Sequence, residues 1–196
     1  MYIYIKMVNI AIFASGSGSN AENIVNYFRG NRDINIALIV SNKKDAFVHE
    51  RAKKLGVESI TFSKNDFETT DNVLDYLSQK NIDFIVLAGF LLKVPHNLIE
   101  AYPNRIINIH PALLPKYGGK GMYGDNVHKA VKEAGDKESG ITIHYVNENY
   151  DEGQIIFQEK CSVSISDTYE DIAKKVHTLE YMHFPVIIES LVKELL

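Results

Sequence analysis

In this 196-residue chain, the pair with the clearest capacity for chemistry is Asn108 and His110, two positions apart in the run Asn108-Ile109-His110-Pro111. On a strand, side chains two apart leave on the same face. Pro111 ends the strand, so both groups stand at its carboxyl edge, where open α/β sheets bind ligands. A carboxamide beside an imidazole binds and polarises a carbonyl oxygen and moves a proton near neutral pH. A polar pair that only caps the local backbone has the same appearance. Asp151 sits in Glu148-Asn149-Tyr150-Asp151-Glu152-Gly153, between two late strands. A hairpin tip folded over the same sheet edge brings its carboxylate to His110, to orient the ring or to stabilise its protonated form. Taken locally, it is equally a hairpin acid before a turn glycine.

A second device is the turn Phe13-Ala14-Ser15-Gly16-Ser17-Gly18-Ser19-Asn20, between an apolar strand and a helical pattern. Small residues let backbone N–H groups close on an anion, and a helix start adds partial positive charge. The segment lacks the Gly-Lys-Ser/Thr ending of a nucleoside-triphosphate loop. Gly16, Gly18 and Ala21 fit a relaxed dinucleotide fingerprint, but that reading wants an acid at the end of the second strand, where the chain has Val40-Ser41-Asn42-Lys43. A plain tight turn, with Ser19 or Asn20 capping the helix, is the structural alternative.

The elements that must position these groups alternate between strand and helix over the first two-thirds of the chain, the pattern of a parallel sheet covered by helices. Apolar runs at 8–14, 34–40, 84–88 and 105–109 read as strands, with a short one at 59–62. Helical spacing appears at Ile24, Val25 and Phe28, over 46–55, at Val73, Leu74 and Leu77, and over 125–134. Residues 111–123 hold two Pro and three Gly and read as irregular loop. The tail then changes to a long hairpin, 140–146 and 154–163, with Ile141, Ile143 and Tyr145 alternating. Asp167 and Glu170 read as the start of a final helix carrying Ile172, Val176 and Leu179, with Pro185 set to kink or break it. The expectation is one domain over 1–196, with 1–7 as an amino-terminal extension that leaves open whether Met1 or Met7 begins the native chain.

Composition sets the remaining bounds. The chain is 45% hydrophobic and 23% charged, as a globular protein is, and its net charge of −4 offers no basic field for nucleic acid or acidic membrane. Any anionic ligand therefore needs a local device. The one cysteine, Cys161, forms no internal disulfide, and no Cys/His spacing suggests a metal site. No apolar run reaches the ~20 residues of a membrane span, and the first residues lack the apolar centre of a secretory signal, so the cytoplasm is the expected compartment.

Five segments in order, Ala14-Ser15-Gly16-Ser17-Gly18-Ser19-Asn20, Val86-Leu87-Ala88-Gly89-Phe90-Leu91, Asn108-Ile109-His110-Pro111-Ala112-Leu113-Leu114-Pro115-Lys116, Gly140-Ile141-Thr142-Ile143-His144-Tyr145-Val146 and Asp151-Glu152-Gly153-Gln154-Ile155-Ile156, resemble the folate-dependent formyltransferases. The Gly-Ser-Gly-Ser-Asn turn narrows the likeness to the phosphoribosylglycinamide formyltransferase branch, over nearly the whole chain. The resemblance implies a Rossmann-like α/β domain, a mostly parallel sheet flanked by helices with a carboxyl-terminal antiparallel hairpin and final helix. It implies formyl transfer from 10-formyltetrahydrofolate, a co-substrate, to the amine of glycinamide ribonucleotide, with no metal, in a monomer or homodimer. By resemblance Asn108, His110 and Asp151 are catalytic, and Gly18, Ser19, Asn20 and Glu180 hold the ribonucleotide. Leu91, Leu92, Lys93 and Val94, with Asn108 and Asn147, Glu148, Asn149, Tyr150 and Asp151, would line the folate pocket. A protonated His110 and Asn108 would donate to the formyl oxygen while Asp151 relays the amine proton.

The chain departs from the family pattern in places. Ala112 stands where a Ser is common, the loop from Lys116 to Gly124 is longer and richer in glycine, His128 is the candidate for a loop histidine, and a folate-contacting arginine is replaced near Thr69 and Thr70. A formyltetrahydrofolate deformylase-like hydrolase and a non-catalytic α/β binding module are the rival readings. A methionyl-tRNA formyltransferase would need a further carboxyl-terminal domain and a basic surface.

Overall fold

The computed structural model describes residues 7–196, so the start of the expected extension lies outside the described residues. In chain order the elements are β1 (Val8–Phe13), α1 (Ser19–Tyr27), β2 (Ile34–Ser41), α2 (Val48–Leu55), β3 (Glu58–Thr61), α3 (Lys64–Thr69), α4 (Asn72–Gln79), β4 (Phe84–Leu87), α5 (His96–Ala101), β5 (Ile106–His110), α6 (Asp125–Ala134), β6 (Glu138–Tyr145), β7 (Ile155–Ser162) and α7 (Tyr169–Lys193). The strands form one sheet in the order β3-β2-β1-β4-β5-β6-β7. β1 to β5 are parallel, and β6 pairs antiparallel with both β5 and β7. The single mostly parallel α/β sheet with an antiparallel end is the expected fold.

Alternation divides each central strand between two cores. Ile10 and Ile12 of β1, Phe84 and Val86 of β4, and Ile107 and Ile109 of β5 face the layer of α1, α2, α6 and α7. Ala11, Phe13, Ile85, Leu87 and Ile106 face the layer of α3, α4 and α5. Burial on both faces explains why these strands read as continuous apolar runs rather than alternating ones.

Several local expectations need correction. The helix α7 is not broken at Pro185. Pro185 has no N–H for the carbonyl of Tyr181, but the Asn23 side-chain amide donates to that carbonyl at 3.0 Å, and Phe184, Ile188 and Val192 pack into the core beyond it. Its start is a capping box of Thr168 and Asp171 rather than Asp167 and Glu170. Asp167 instead accepts from Ser164 N–H and pairs with Lys175. The N-cap of α1 is Gly18, in the left-handed region (φ 73°), with no side-chain cap, so neither Ser19 nor Asn20 caps. The short helices α3 and α5 escaped the periodicity reading because six residues carry less than two turns of pattern.

Candidate active site

The order of strands reverses between β1 and β4, and at such a switch point the loops leaving the carboxyl ends separate and open a crevice. A cavity of about 620 Å³ lies there. Its walls come from the turn after β1 (Gly16 to Asn20), the loop after β4 (Ala88 to Leu91), the end of β5 (Asn108 to Pro111), the glycine-rich loop 119–124, Tyr150 and Asp151, and His177 and Glu180 of α7. Sequence-distant segments thus meet over one sheet edge.

The register of β5 against β6 sets the polar wall. Asn108 pairs with His144 and His110 with Thr142. Ile141 and Ile143 face the opposite core, so these four polar side chains share one face. Asp151 reaches them from the turn between β6 and β7. One of its oxygens lies 3.6 Å from His110 Nδ1 and accepts from Gly119 N–H at 2.9 Å. The other lies 3.6 Å from His144 Nε2 and accepts from Asn108 Nδ2 at 3.4 Å. Gly153 makes this placement possible: a Cβ there would lie 1.7 Å from the Tyr145 carbonyl oxygen, so only glycine lets the chain pass so close to β6.

Hydrogen bonding assigns the tautomers. His110 Nε2 lies 2.7 Å from the Tyr117 carbonyl oxygen, which only accepts, so Nε2 carries a proton and Nδ1 faces Asp151. His144 Nδ1 donates to the Tyr145 carbonyl at 2.8 Å, so its Nε2 accepts from Asn108 Nδ2 at 3.1 Å. Burial pushes the His110 imidazole below the usual histidine range, more than nearby Asp151 raises it. Desolvation of the charged ring thus opposes the imidazolium that the carboxylate at 3.6 Å favours. For Asp151, burial works to raise the carboxyl, yet the neighbouring His144 and His110 and the Gly119 N–H together hold it below the usual range.

At the other end, the glycine turn is buttressed by α2. Val48 N–H donates to the Gly16 carbonyl at 3.1 Å, and Arg51 Nε donates to the Ser17 carbonyl at 2.9 Å while its guanidinium pairs with Glu22. Ser15 Oγ donates to Asn42 at 2.5 Å and accepts from Leu91 N–H at 2.9 Å, tying the turn to β2 and to the loop after β4. Glu180 is buried; its Oε2 accepts from Asn20 Nδ2 at 2.9 Å and is bonded to His177 Nδ1 at 2.8 Å.

Asn108, His110, Asp151, Gly18, Ser19, Asn20 and Glu180 all border the cavity, as do Leu91 and Tyr150. Leu92, Lys93 and Val94 do not, and neither do Asn147, Glu148 and Asn149; Val94 is buried in the second core instead. His128 is buried at the cavity wall on α6. Sequence reasoning missed His144, His177 and the Tyr117 carbonyl. The signal for His144 was present, a histidine in step with Thr142 on the polar side of an otherwise apolar strand. Cys161 is half-buried in β7, away from the cavity, and burial pushes its thiol up.

Comparison with known proteins agrees with this architecture. The family model described as formyl transferase matches residues 8–188. A chloroplastic phosphoribosylglycinamide formyltransferase of Arabidopsis thaliana is 41% identical over 94% of this chain, and a phosphoribosylglycinamide formyltransferase of Bacillus subtilis is 38% identical over 94%. The chain spans 65% of the plant relative's length and 95% of the bacterial one's. The crystal structure of phosphoribosylglycinamide formyltransferase from Bacillus halodurans superimposes with a TM-score of 0.84 at 35% identity, covering 94% of this chain and 95% of that one.

Proposed function

The chain belongs to the formyl transferase family, and we propose that it transfers the formyl group of 10-formyltetrahydrofolate to the amine of glycinamide ribonucleotide, a step of purine biosynthesis. The observation that carries this reading is the meeting of Asn108, His110 and Asp151 on one wall of a cavity whose other end is an anion cradle beside a buried carboxylate. A phosphorylated amine spans the two ends, with its phosphate at Gly18, Ser19 and Asn20 and its ribose or glycinamide portion at Glu180. The folate lies against Leu91 and Tyr150. The cavity's size lies within the range of small-molecule sites.

The reaction joins the amine nitrogen to the formyl carbon, giving a tetrahedral intermediate with its charge on the former carbonyl oxygen. The carbon–nitrogen bond to folate then breaks as that nitrogen takes a proton. In the free protein the polar wall is closed on itself: Asn108 donates to His144, and His110 donates to Tyr117. Substrate binding exchanges these internal acceptors for the formyl oxygen, and each oxyanion donor contributes about 3 kcal/mol to the transition state. On substrate binding His110 takes up a proton from solvent at Nδ1, because negative charge building on that oxygen favours the imidazolium and the ionised Asp151 beside Nδ1 stabilises it. Asp151, ionised because its carboxyl is held low, receives the amine proton through a water and returns it to the folate nitrogen.

The test is to mix the full chain with glycinamide ribonucleotide and a 10-formylfolate and follow the absorbance of deformylated folate. Release that requires the amine is the expected outcome. Release without it would make the chain a hydrolase, and silence would leave a binding module. His110→Ala and Asp151→Asn are expected to lose about 10²–10⁴-fold in kcat with the fold retained by circular dichroism; near-normal turnover in either removes that residue from the chemistry.

A further inference from the structure

When neutral, the His110 ring carries one proton and faces an acceptor at each nitrogen. The Tyr117 carbonyl oxygen lies 2.7 Å from Nε2, and an Asp151 carboxylate oxygen lies 3.6 Å from Nδ1. A carboxylate is the stronger acceptor when it comes within reach, so the form that presents Nε2–H depends on where the Tyr117 carbonyl stands. The same short strap of chain serves the other partner. Gly119 N–H donates to Asp151 at 2.9 Å, and a Cβ on Gly118 would lie 3.3 Å from Asp151 Cβ and 2.7 Å from Leu114 Cδ2. Residues 117–119 thus touch both members of the pair.

Tyr117 is not held there by its own backbone preference. It has φ 56°, a left-handed conformation that a bulky L residue keeps only where its surroundings fix it. Packing does not pin it on every side, since Tyr117 borders a second cavity of about 520 Å³ together with Leu113, Val131 and Asp136. The fixed point is its hydroxyl, which donates to Asp136 Oδ2 at 2.9 Å. Lys116 Nζ donates to the two oxygens of the same carboxylate at 3.1 and 3.3 Å. Asp136 is itself firmly seated. Gly135 closes α6 in the left-handed region (φ 66°), and the Asp136 N–H that follows donates to the Val131 carbonyl at 3.4 Å. A carboxylate is misplaced there on helix grounds alone, because the carboxyl end of a helix carries partial negative charge. Its partners account for it: Lys116 and Tyr117 hold its carboxyl below the usual range.

We propose that Asp136 is a positioning residue for the His110–Asp151 pair: by holding the Tyr117 hydroxyl it fixes the strap 117–119, and through the Tyr117 carbonyl it keeps the proton of the neutral His110 ring on Nε2. A donor at Nε2 is what the formyl oxygen needs to meet, and that need rests on the function proposed above. With the anchor removed, the strap relaxes and the proton shifts to Nδ1, where the Asp151 carboxylate accepts it.

The experiment compares the full chain as wild type, Asp136→Ala, Asp136→Asn, Tyr117→Phe, Lys116→Ala and the double variant Asp136→Ala with Tyr117→Phe. Steady-state kinetics give kcat and KM. Long-range proton–nitrogen NMR correlation of the free protein at about pH 8, above the usual histidine range, reads which nitrogen of His110 is protonated. Asp136→Ala and Tyr117→Phe are expected to lose about tenfold in kcat, with KM for both substrates within about twofold, and to move the ring toward the Nδ1–H form. The double variant should be no slower than either single one, because both cut the same bond. Asp136→Asn keeps an acceptor for the hydroxyl and should hold kcat within about threefold of wild type, which separates the anchor from a general loss of stability. Lys116→Ala leaves the Tyr117–Asp136 bond in place and should do likewise. Unchanged kcat in Asp136→Ala, a His110 proton that no variant moves, or a double variant slowed by the product of the single losses would overturn the proposal. A wild type without amine-dependent turnover refutes the function alone, and the His110 proton, read in the free protein, then decides the anchor.

Discussion

Replacing Gly18 by Ala probes whether the cradle is a shaped site or an ordinary turn. Gly18 has φ 73°, where an L residue costs about 1–2 kcal/mol. An added Cβ would lie 2.3 Å from Val48 Cγ2, 2.6 Å from its Cβ and 3.0 Å from its Cα. The neighbour cannot simply swing aside, because Val48 N–H is bonded to the Gly16 carbonyl at 3.1 Å, and overpacking of this kind costs about 1–3 kcal/mol. Gly18→Ala is therefore expected to lose about 2–5 kcal/mol of stability, with Tm lower by roughly 5–15 °C at this chain length. Gly16→Ala is the control: a Cβ there meets nothing within 4 Å among the described residues, and its stability should stay within about 0.5 kcal/mol of wild type. Urea unfolding reads both, and adding Val48→Gly, which removes the two closest atoms, should recover about 1 kcal/mol or more as coupling. In the same variant, ribose 5-phosphate binding should weaken more than binding of a folate analogue. Equal stability of the Gly16 and Gly18 variants would refute the account of the turn; equal weakening of both ligands would refute the division of the site.

Three further outcomes follow from the geometry. His144→Phe removes the acceptor of Asn108 Nδ2 and a neighbour of Asp151; kcat should fall about tenfold or more while ribose 5-phosphate affinity stays unchanged, and an unaltered kcat would leave His144 a packing residue. Gly153→Ala drives a Cβ into the Tyr145 carbonyl, so soluble yield and urea midpoint should both drop sharply; a wild-type midpoint would contradict the close approach that places Asp151. On pH, His110 and His128 have folded-state proton affinities below those of the unfolded chain. Their contribution to stability is fully present above about pH 6.5 and is lost as pH falls through their lowered values. His177, raised by Glu180, contributes in the opposite sense, fully below about pH 6.5 and lost as pH rises through its raised value. Comparing urea midpoints at pH 7.5 and 5.5, His128→Leu should show a smaller acid loss than wild type, and an identical loss would mean that the ring is not held neutral in the fold.

Much of the scaffold was legible because the information was local. The double-sided burial of β1, β4 and β5 leaves continuous apolar runs, Gly and Pro punctuate their ends, and a spacing of two puts Asn108 and His110 on one face whatever the rest of the chain does. The local sequence left Asp151 open between a partner for His110 and a hairpin acid, and Glu180 came from the resemblance alone. Helix α7 shows where local rules stop: Pro185 argues for a break, and the Asn23 amide, 162 residues earlier in the chain, supplies the hydrogen bond that the rule assumes lost.

The chain's order of residues determined which groups are able to act, namely a carboxamide and an imidazole at one strand end and a lysine-free turn before a helix. Only the tertiary structure decided their states and companions. The pairing of β5 with β6 set His144 opposite Asn108, burial lowered the proton affinity of His110 against the pull of Asp151, and the packing of α7 on α1 and α6 joined Glu180 and His177 to the cradle. Side-chain direction along a strand follows from backbone geometry within two residues, whereas proton affinity and contact depend on solvent exclusion and on charges brought together from across the chain.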